Sequence, residues 1–459
     1  MKSLIIRSLI LGCLLGTTIL GKKTSPSPAN TKGGKPNIVV VLCDDLGYGD
    51  LECYGHPHIK TPHLNKLSQG GIRFTDFYST APVCSPSRVG LLTGRSPNRA
   101  GVYDWIPPGR AVHMRASEVT IAKLLKEAGY ATCMSGKWHC NGKFNSQQQP
   151  QPDDAGFDHW FGTQNNANPS HENPRNFVRN GKPVGNLKGF SCQLVMDEAL
   201  NWLKGQQKKA PKQPFFMYVA FHEPHEPVAS PRKLVKSYSD VSRNENEAQY
   251  FANVANIDAA VGKLMAALKT MKVDENTLVV FTSDNGPHNE AKHNPERFNP
   301  SGPLRGMKRT LTEGGIRMPT IAWWPKTVAK GSQCDQPFYF GDLMATACEL
   351  AGTAKPKNVD SVSIIPTLKG QADKQARHDF LYWEFYERTF RQAVVLDNWK
   401  LIRSGMDDER IELYDLSQDI HEDKNLAKEK PDVAQKMLAM MEKAHVPHPN
   451  WRTPRSVKK

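Results

Sequence analysis

From residue 37 onward the chain alternates short, uninterrupted apolar runs with stretches whose apolar positions recur at i, i+3 and i+4. Residues 38–42, Ile-Val-Val-Val-Leu, stop at Cys43-Asp44-Asp45, and residues 278–282, Leu-Val-Val-Phe-Thr, stop at Ser283-Asp284-Asn285-Gly286. Strands that are apolar on both faces belong to a mostly parallel sheet with helices on each side. The run 215–221 predicts a third such strand, and helical spacing predicts helices over 120–128, 192–203 and 250–268. The fold class is therefore α/β, a sandwich around a large mixed, mostly parallel sheet. After about residue 369 the pattern changes to alternating strands at 380–385, 392–402 and 411–416, followed by a helix at 431–443. This predicts a smaller C-terminal α+β subdomain with an antiparallel sheet over 370–459, beside a main domain over 36–369.

The one long apolar stretch, 8–20, is preceded by Lys2 and Arg7 and followed by Gly21-Lys22-Lys23. It is shorter than the ~20 residues a helix needs to cross a bilayer. It reads as a secretory signal peptide over 1–21, with a Ser/Pro/Gly-rich flexible linker at 22–35 and no stable membrane span once the leader is cleaved. With 39% hydrophobic residues among 459, the chain is neither disordered nor collagen-like. Lys and Arg outnumber acids 60 to 46, a net charge of +14 that favours anionic partners without choosing among nucleic acid, anionic lipid and sulfated or phosphorylated substrates. Cysteines stand at 13, 43, 53, 84, 133, 140, 192, 334 and 348, in neither a zinc spacing nor a dense disulfide framework, and their pairing is not readable. Asn168-Pro169-Ser170 and Asn299-Pro300-Ser301 both carry the proline that blocks N-glycosylation, which fits a periplasmic or secreted bacterial protein.

Ligands of open α/β sheets collect at the carboxyl ends of strands, where this chain carries Asp44-Asp45 and Asp284-Asn285. Three carboxylates and an amide oxygen form a hard donor set suited to Ca²⁺, with Mg²⁺ second, and poor for zinc. Either pair alone is also an ordinary turn sequence. In Cys84-Ser85-Pro86-Ser87-Arg88, Ser85 is expected as N-cap and Pro86 in the first helical turn. That would set Cys84 at the positive end of a helix, with Arg88 reaching back as an anion clamp.

Cys-x-Pro-Ser-Arg followed by Thr93-Gly94-Arg95 resembles the signature of the type I sulfatases, whose cysteine is oxidised after translation to Cα-formylglycine. The resemblance extends over about 36–427 through Pro36-Asn37-Ile38-Val39, Asp44-Asp45-Leu46-Gly47-Tyr48-Gly49-Asp50, Thr61-Pro62-His63-Leu64, Gly136-Lys137-Trp138-His139, Ser283-Asp284-Asn285-Gly286 and Leu413-Tyr414-Asp415-Leu416. It implies an alkaline-phosphatase-like fold and a sulfuric ester hydrolase. By this resemblance Asp44, Asp45, Asp284 and Asn285 are the calcium ligands, completed by the modified residue 84. Lys137, His139, His225 and Lys308 then surround the sulfate and the leaving group. Arg305 and Arg309 share the Gly-rich segment 302–315 with Lys308 and leave that assignment open.

A plain thiol would leave a sulfur-bound intermediate still to be hydrolysed, whereas an aldehyde hydrate offers two hydroxyls on one carbon. One attacks sulfur with help from the metal and Asp284; the other, deprotonated by His139, collapses to the aldehyde and expels sulfate. His225, with Lys308, protonates the departing sugar oxygen. His222, His171 and Arg175 are further candidates for substrate contact. A serine that contacts sulfate in some relatives has no match in Gly162-Thr163-Gln164-Asn165-Asn166. The expected substrate is a sulfated saccharide of glycosaminoglycan or algal origin, and the expected partner a formylglycine-generating maturation enzyme; nucleic acid is not expected. The rivals are a phosphonate or phosphodiester hydrolase using the same site, and a catalytically silent polyanion-binding protein.

Overall fold

The computed structural model describes residues 34–288, 299–387, 389–405 and 409–447. The expected leader, and all but the last two residues of the expected linker, lie outside the described residues. In chain order the first strands are β1 (Asn37–Asp44), β2 (Ile72–Phe74), β3 (Phe77–Tyr78), β4 (Ala131–Lys137), β5 (His159–Thr163), β6 (Val178–Arg179), β7 (Lys182–Pro183) and β8 (Phe215–Pro224). They are followed by β9 (Thr277–Ser283), β10 (Thr320–Trp323), β11 (Ser332–Cys334) and β12 (Phe338–Tyr339). Ten of them form one sheet in the order β11-β2-β10-β9-β1-β8-β4-β5-β6-β7, with β3 and β12 paired separately. β1 lies parallel between β8 and β9, with Val40 opposite Tyr218 and Val280, and β4 and β5 continue the parallel run.

The alternation along β1 divides the core. Val40 and Leu42 face the helices Cys84–Thr93, Ile121–Glu127 and Asp342–Ala351. Val39 and Val41 face Pro62–Gly70, Ser191–Lys209 and Glu245–Thr270. Thr120 caps its helix, its hydroxyl accepting from the Lys123 N–H, and Asn244 caps the longest helix by accepting from Glu247. Among the described residues no helix is long and apolar enough to cross a membrane.

A second sheet, β13 (Leu381–Phe385), β14 (Arg391–Leu396), β15 (Trp399–Ser404) and β16 (Arg410–Asp415), is an antiparallel meander. The single strand expected over 392–402 is in fact the hairpin β14–β15. It turns at Asp397-Asn398, where Asp397 takes φ +52°, a left-handed conformation that a short polar side chain tolerates. Along β14, Ala393 and Val395 pack toward Cys84, Trp383 and Tyr414, while Val394 and Leu396 pack on the final helix Pro431–Ala444. The C-terminal sheet thus shares a core with the residues around Cys84.

Candidate active site

Because β1, β4, β8 and β9 are mutually parallel, their carboxyl ends meet on one edge of the sheet. Asp44 ends β1 and Asp45 follows at φ +65°; Lys137 ends β4; His225 follows β8; Asp284 and Asn285 follow β9. All but the part-buried His225 are buried, and they form one tight constellation. Lys137 Nζ lies 2.5 Å from Asp44 Oδ2. Lys308 Nζ lies 2.8 Å from Asp45 Oδ2, and the Asp45 N–H donates to Asp284 Oδ1 at 3.2 Å. The Gly-rich segment 302–315 therefore delivers Lys308 to the carboxylates. Arg305 lies on Tyr414, and Arg309 pairs with Glu387.

Cys84 opens the helix Cys84–Thr93, which is buried along its whole length. The N-cap is Val83, two residues earlier than the expected Ser85. Ser85 accepts instead from the Ile106 N–H at 3.0 Å, so its hydroxyl ties the 103–112 segment to the helix start. Burial pushes the Cys84 thiol up, against the pull of Lys137 and Lys308. An unmodified Cys84 is thus a neutral thiol and a weak nucleophile. The Arg88 guanidinium, fully buried, donates from Nε to Asp284 Oδ2 at 2.9 Å and from Nη1 to the Lys137 carbonyl at 2.9 Å, with Nη2 2.8 Å from Asp284 Oδ2. Its fork holds the end of β4 against the end of β9 rather than standing open as a free clamp.

His139 follows Lys137 and takes φ +51°. Its Nε2 lies 3.1 Å from the Ile106 carbonyl, which can only accept, so the proton sits on Nε2 and Nδ1 carries the lone pair. That Nδ1 is buried without a partner among the described residues. Burial, reinforced by Lys137 and Arg88, holds the ring neutral, the form a general base requires. In His225, Nδ1 donates to the Glu226 carbonyl at 2.7 Å, and Nε2 is 3.5 Å from Asp45 Oδ2. Burial, followed by Lys308, lowers this ring to about 4. Asp284 is pushed up to about 7, by burial first and then by Asp44.

Ligand atoms of Asp44, Asp45 and His225 lie within 4.8 Å of one another. Among the described residues Asp44 Oδ1 and Asn285 Oδ1 are buried without a hydrogen-bond partner. Unpartnered buried oxygens are costly, and here they fit a hard cation bound by oxygen. An imidazole lone pair facing a carboxylate oxygen is also favourable only beside positive charge.

The remaining expected residues sit further back. His222 is buried with Nε2 2.7 Å from Thr163 Oγ1. His171 is buried, its Nδ1 3.8 Å from Glu223 Oε1, and Arg175 is exposed. Sequence reasoning passed over Gln164, whose Nε2 donates to the same Ile106 carbonyl as His139 and to the Asn141 carbonyl. It also passed over the network of Glu313, Lys400 and Glu422 beneath the Lys308 segment. A cavity of about 1,080 Å³, lined by residues such as Gln148, Asp154 and Trp160, does not touch these groups.

Two family models match the chain: Sulfatase over residues 36–353, and the C-terminal region of N-sulphoglucosamine sulphohydrolase over 307–446. The chain is 35% identical over 383 residues to dog N-acetylgalactosamine-6-sulfatase, covering 78% of this chain and 69% of that one. It is 29% identical to a Bacteroides thetaiotaomicron N-acetylgalactosamine-6-O-sulfatase, covering 89% and 93%. The crystal structure of Ps i-CgsB in complex with k-i-k-neocarrahexaose superposes with a TM-score of 0.80 at 29% identity, covering 89% of this chain and 92% of that one. The matched model spans most of the chain and takes in the strand ends and the helix that carry the buried constellation, so the chain belongs to the sulfatase family and is a sulfuric ester hydrolase.

Proposed function

We propose that the protein is an exported, Ca²⁺- and formylglycine-dependent sulfatase that removes sulfate from sulfated saccharides. The observation that carries this reading is the balance of buried charge. Asp44, Asp45 and Asp284, when ionised, supply three negative charges; Arg88, Lys137 and Lys308 supply three positive ones. The cluster alone is neutral. A divalent cation held by Asp44, Asp45, Asp284 and Asn285, with residue 84 beside it, would leave two positive charges. These match a sulfate monoester and one deprotonated hydroxyl. Ca²⁺ would supply Lewis-acid stabilisation of the sulfate oxygens, and a formylglycine at residue 84 would supply a hydrated aldehyde as the nucleophile.

The chain's own side chains have separable tasks. Lys137 and Lys308 neutralise sulfate oxygens, each such contact contributing roughly 2–4 kcal/mol of transition-state stabilisation. Arg88 positions Asp284. His139, neutral with an open Nδ1, accepts the proton from residue 84. His225 and Lys308 stand on the leaving-group side, where a bound sulfate anion raises the proton affinity of His225. The names of the relatives, an N-acetylgalactosamine-6-sulfatase and a protein crystallised with a neocarrahexaose, support a sulfated sugar as substrate. The apolar stretch at 8–20 supports export and the division of a leader, 1–21, and a linker, 22–35, from the rest of the chain; the change from the ten-stranded sheet to the four-stranded meander supports the further division into 36–369 and 370–459.

The test is the mass of the peptide containing Cys84 in protein made with a maturation enzyme. A loss of about 18 Da marks conversion of the thiol to the aldehyde. Converted protein that hydrolyses no sulfate ester would refute the reading, and so would turnover by the Cys84→Ala protein.

A further inference from the structure

The segment that bonds Ser85 through the Ile106 N–H also lines a cavity of about 470 Å³, formed by Tyr103, Asp104, Trp105, Pro107 and Arg110, within the ~300–1,000 Å³ range of small-ligand sites. We propose that this cavity binds a second, negatively charged sugar unit of the substrate, adjoining the unit whose sulfate is removed. The inference rests on the sulfatase reading of the neighbouring site and specifies its substrate as an anionic oligosaccharide.

The cavity is built into the active-site wall. Trp105 packs against the cluster that contains Cys84, Tyr78 and Val83. The adjacent Ile106 gives its N–H to Ser85 Oγ and its carbonyl to His139 Nε2. The segment is also held rigid from below. Gln149, buried, donates from Nε2 to the Arg110 and Ala111 carbonyls at 2.8 and 3.0 Å. The Gly109 N–H donates to the Gly142 carbonyl at 2.7 Å. A ring bound here therefore meets a surface formed in advance, which limits the ordering cost of binding.

Each lining group has a task that a sugar satisfies. The half-buried Trp105 ring offers a flat apolar face for the C–H face of a pyranose, with a polar edge left for water. The Asp104 carboxylate, which accepts from the Trp105 N–H at 2.7 Å, can accept from a sugar hydroxyl. Arg110 is exposed at the rim, and its planar fork matches a carboxylate or sulfate bidentately.

The experiment is calorimetric binding to the full-length Cys84→Ala protein. The ligands are 6-sulfated N-acetylgalactosamine and the same sugar extended by a hexuronic acid, by a sulfated hexose, or by a neutral hexose. One or both anionic extensions are expected to bind at least tenfold more tightly than the monosaccharide, and which of them does so identifies the anion. Trp105→Ala and Arg110→Gln should each remove that gain. Trp105→Leu, which preserves apolar packing but has no flat ring, should remove it too and serves if the alanine protein melts early. Equal or absent binding of the extended sugars, a gain kept in all variants, or an equal gain from the neutral hexose would overturn the proposal. Hydrolysis of 4-nitrophenyl sulfate by the matured, unsubstituted enzyme separates the two readings. If it is hydrolysed while extension gives no gain, the cavity assignment fails alone; if neither it nor any of the sulfated sugars is hydrolysed, the sulfatase reading fails.

Discussion

Lys400→Met should destabilise the protein through a charge left without a partner. Lys400 on β15 is fully buried, its Nζ 2.6 Å from Glu313 Oε1 and 3.0 Å from Glu422 Oε1. After the substitution Glu313 keeps Arg317 at 3.0 Å and the Tyr78 hydroxyl at 2.9 Å. Glu422 keeps only the Glu313 N–H at 2.8 Å, with Arg305 3.9 Å away. Most of the cost therefore falls on Glu422, whose carboxyl burial already pushes up. Removing one partner of a buried ion pair costs about 3–5 kcal/mol, and that loss is expected here at pH 7.5. An unpaired buried carboxylate has a folded pKa above its unfolded value near ~4.3. The deficit therefore grows as pH rises through the folded value and shrinks toward pH 5. The double change Lys400→Met with Glu422→Gln removes the stranded charge and should recover more than half of the loss. Urea denaturation followed by tryptophan fluorescence at both pH values reads all three quantities. A loss below about 1 kcal/mol, or one identical at the two pH values and unaffected by Glu422→Gln, would refute the reasoning.

Three further outcomes are expected. Arg88→Lys keeps the charge but loses the fork that joins Asp284 to the Lys137 carbonyl, so steady-state kinetics should show a fall in turnover of roughly 100-fold or more. Gly136→Ala places a Cβ 1.8 Å from the Ala220 carbonyl oxygen at φ +113°. It should separate β4 from β8 and destabilise by at least about 3 kcal/mol, read by thermal melting. Glu198 is held at about 2, with hydrogen bonds from His159 and Arg179 working against burial. The stability it contributes should be complete above its ordinary value near 4.5 and disappear as pH falls toward 2, and Arg179→Ala should flatten that acid limb of a melting-temperature profile.

The strand ends were legible because a continuous apolar run followed directly by acids has few other readings. The parallel order then brings Asp44, Asp45, Asp284, Lys137 and His225 to one edge. Local chemistry was less legible where two side chains compete for one task. Ser85 looks like a helix cap, yet its oxygen goes to Ile106 and the helix begins without a side-chain cap. The hairpin at Asp397-Asn398 was missed because apolar alternation continues through the turn on both sides. The polar stretch 145–152 has no periodicity that predicts an element, yet Gln149 and Gln151 are buried there and satisfy backbone groups of Gly142, Lys143 and Asn145. Composition records that such amides are polar, while their partners depend on a fold that brings residue 149 to residue 110.

The C-terminal sheet is better understood as part of the active site than as an appended subdomain. It supplies Lys400 to Glu313, at the end of the segment that carries Lys308. It also supplies Tyr414 to Arg305 and the Arg391 side chain to the Arg309 carbonyl, on either side of Lys308. Lys308 reaches Asp45 from a segment without regular structure between Gly302 and Thr312, so its position depends on these flanking contacts. Trp383, Val395 and Ile402 of the same sheet close the apolar cluster around Cys84. A chain ending near residue 369 would uncover that cluster and release both ends of the Lys308 segment. Loss of the sheet's ion network should therefore lower turnover before it unfolds the central sheet, which has its own helices on both faces.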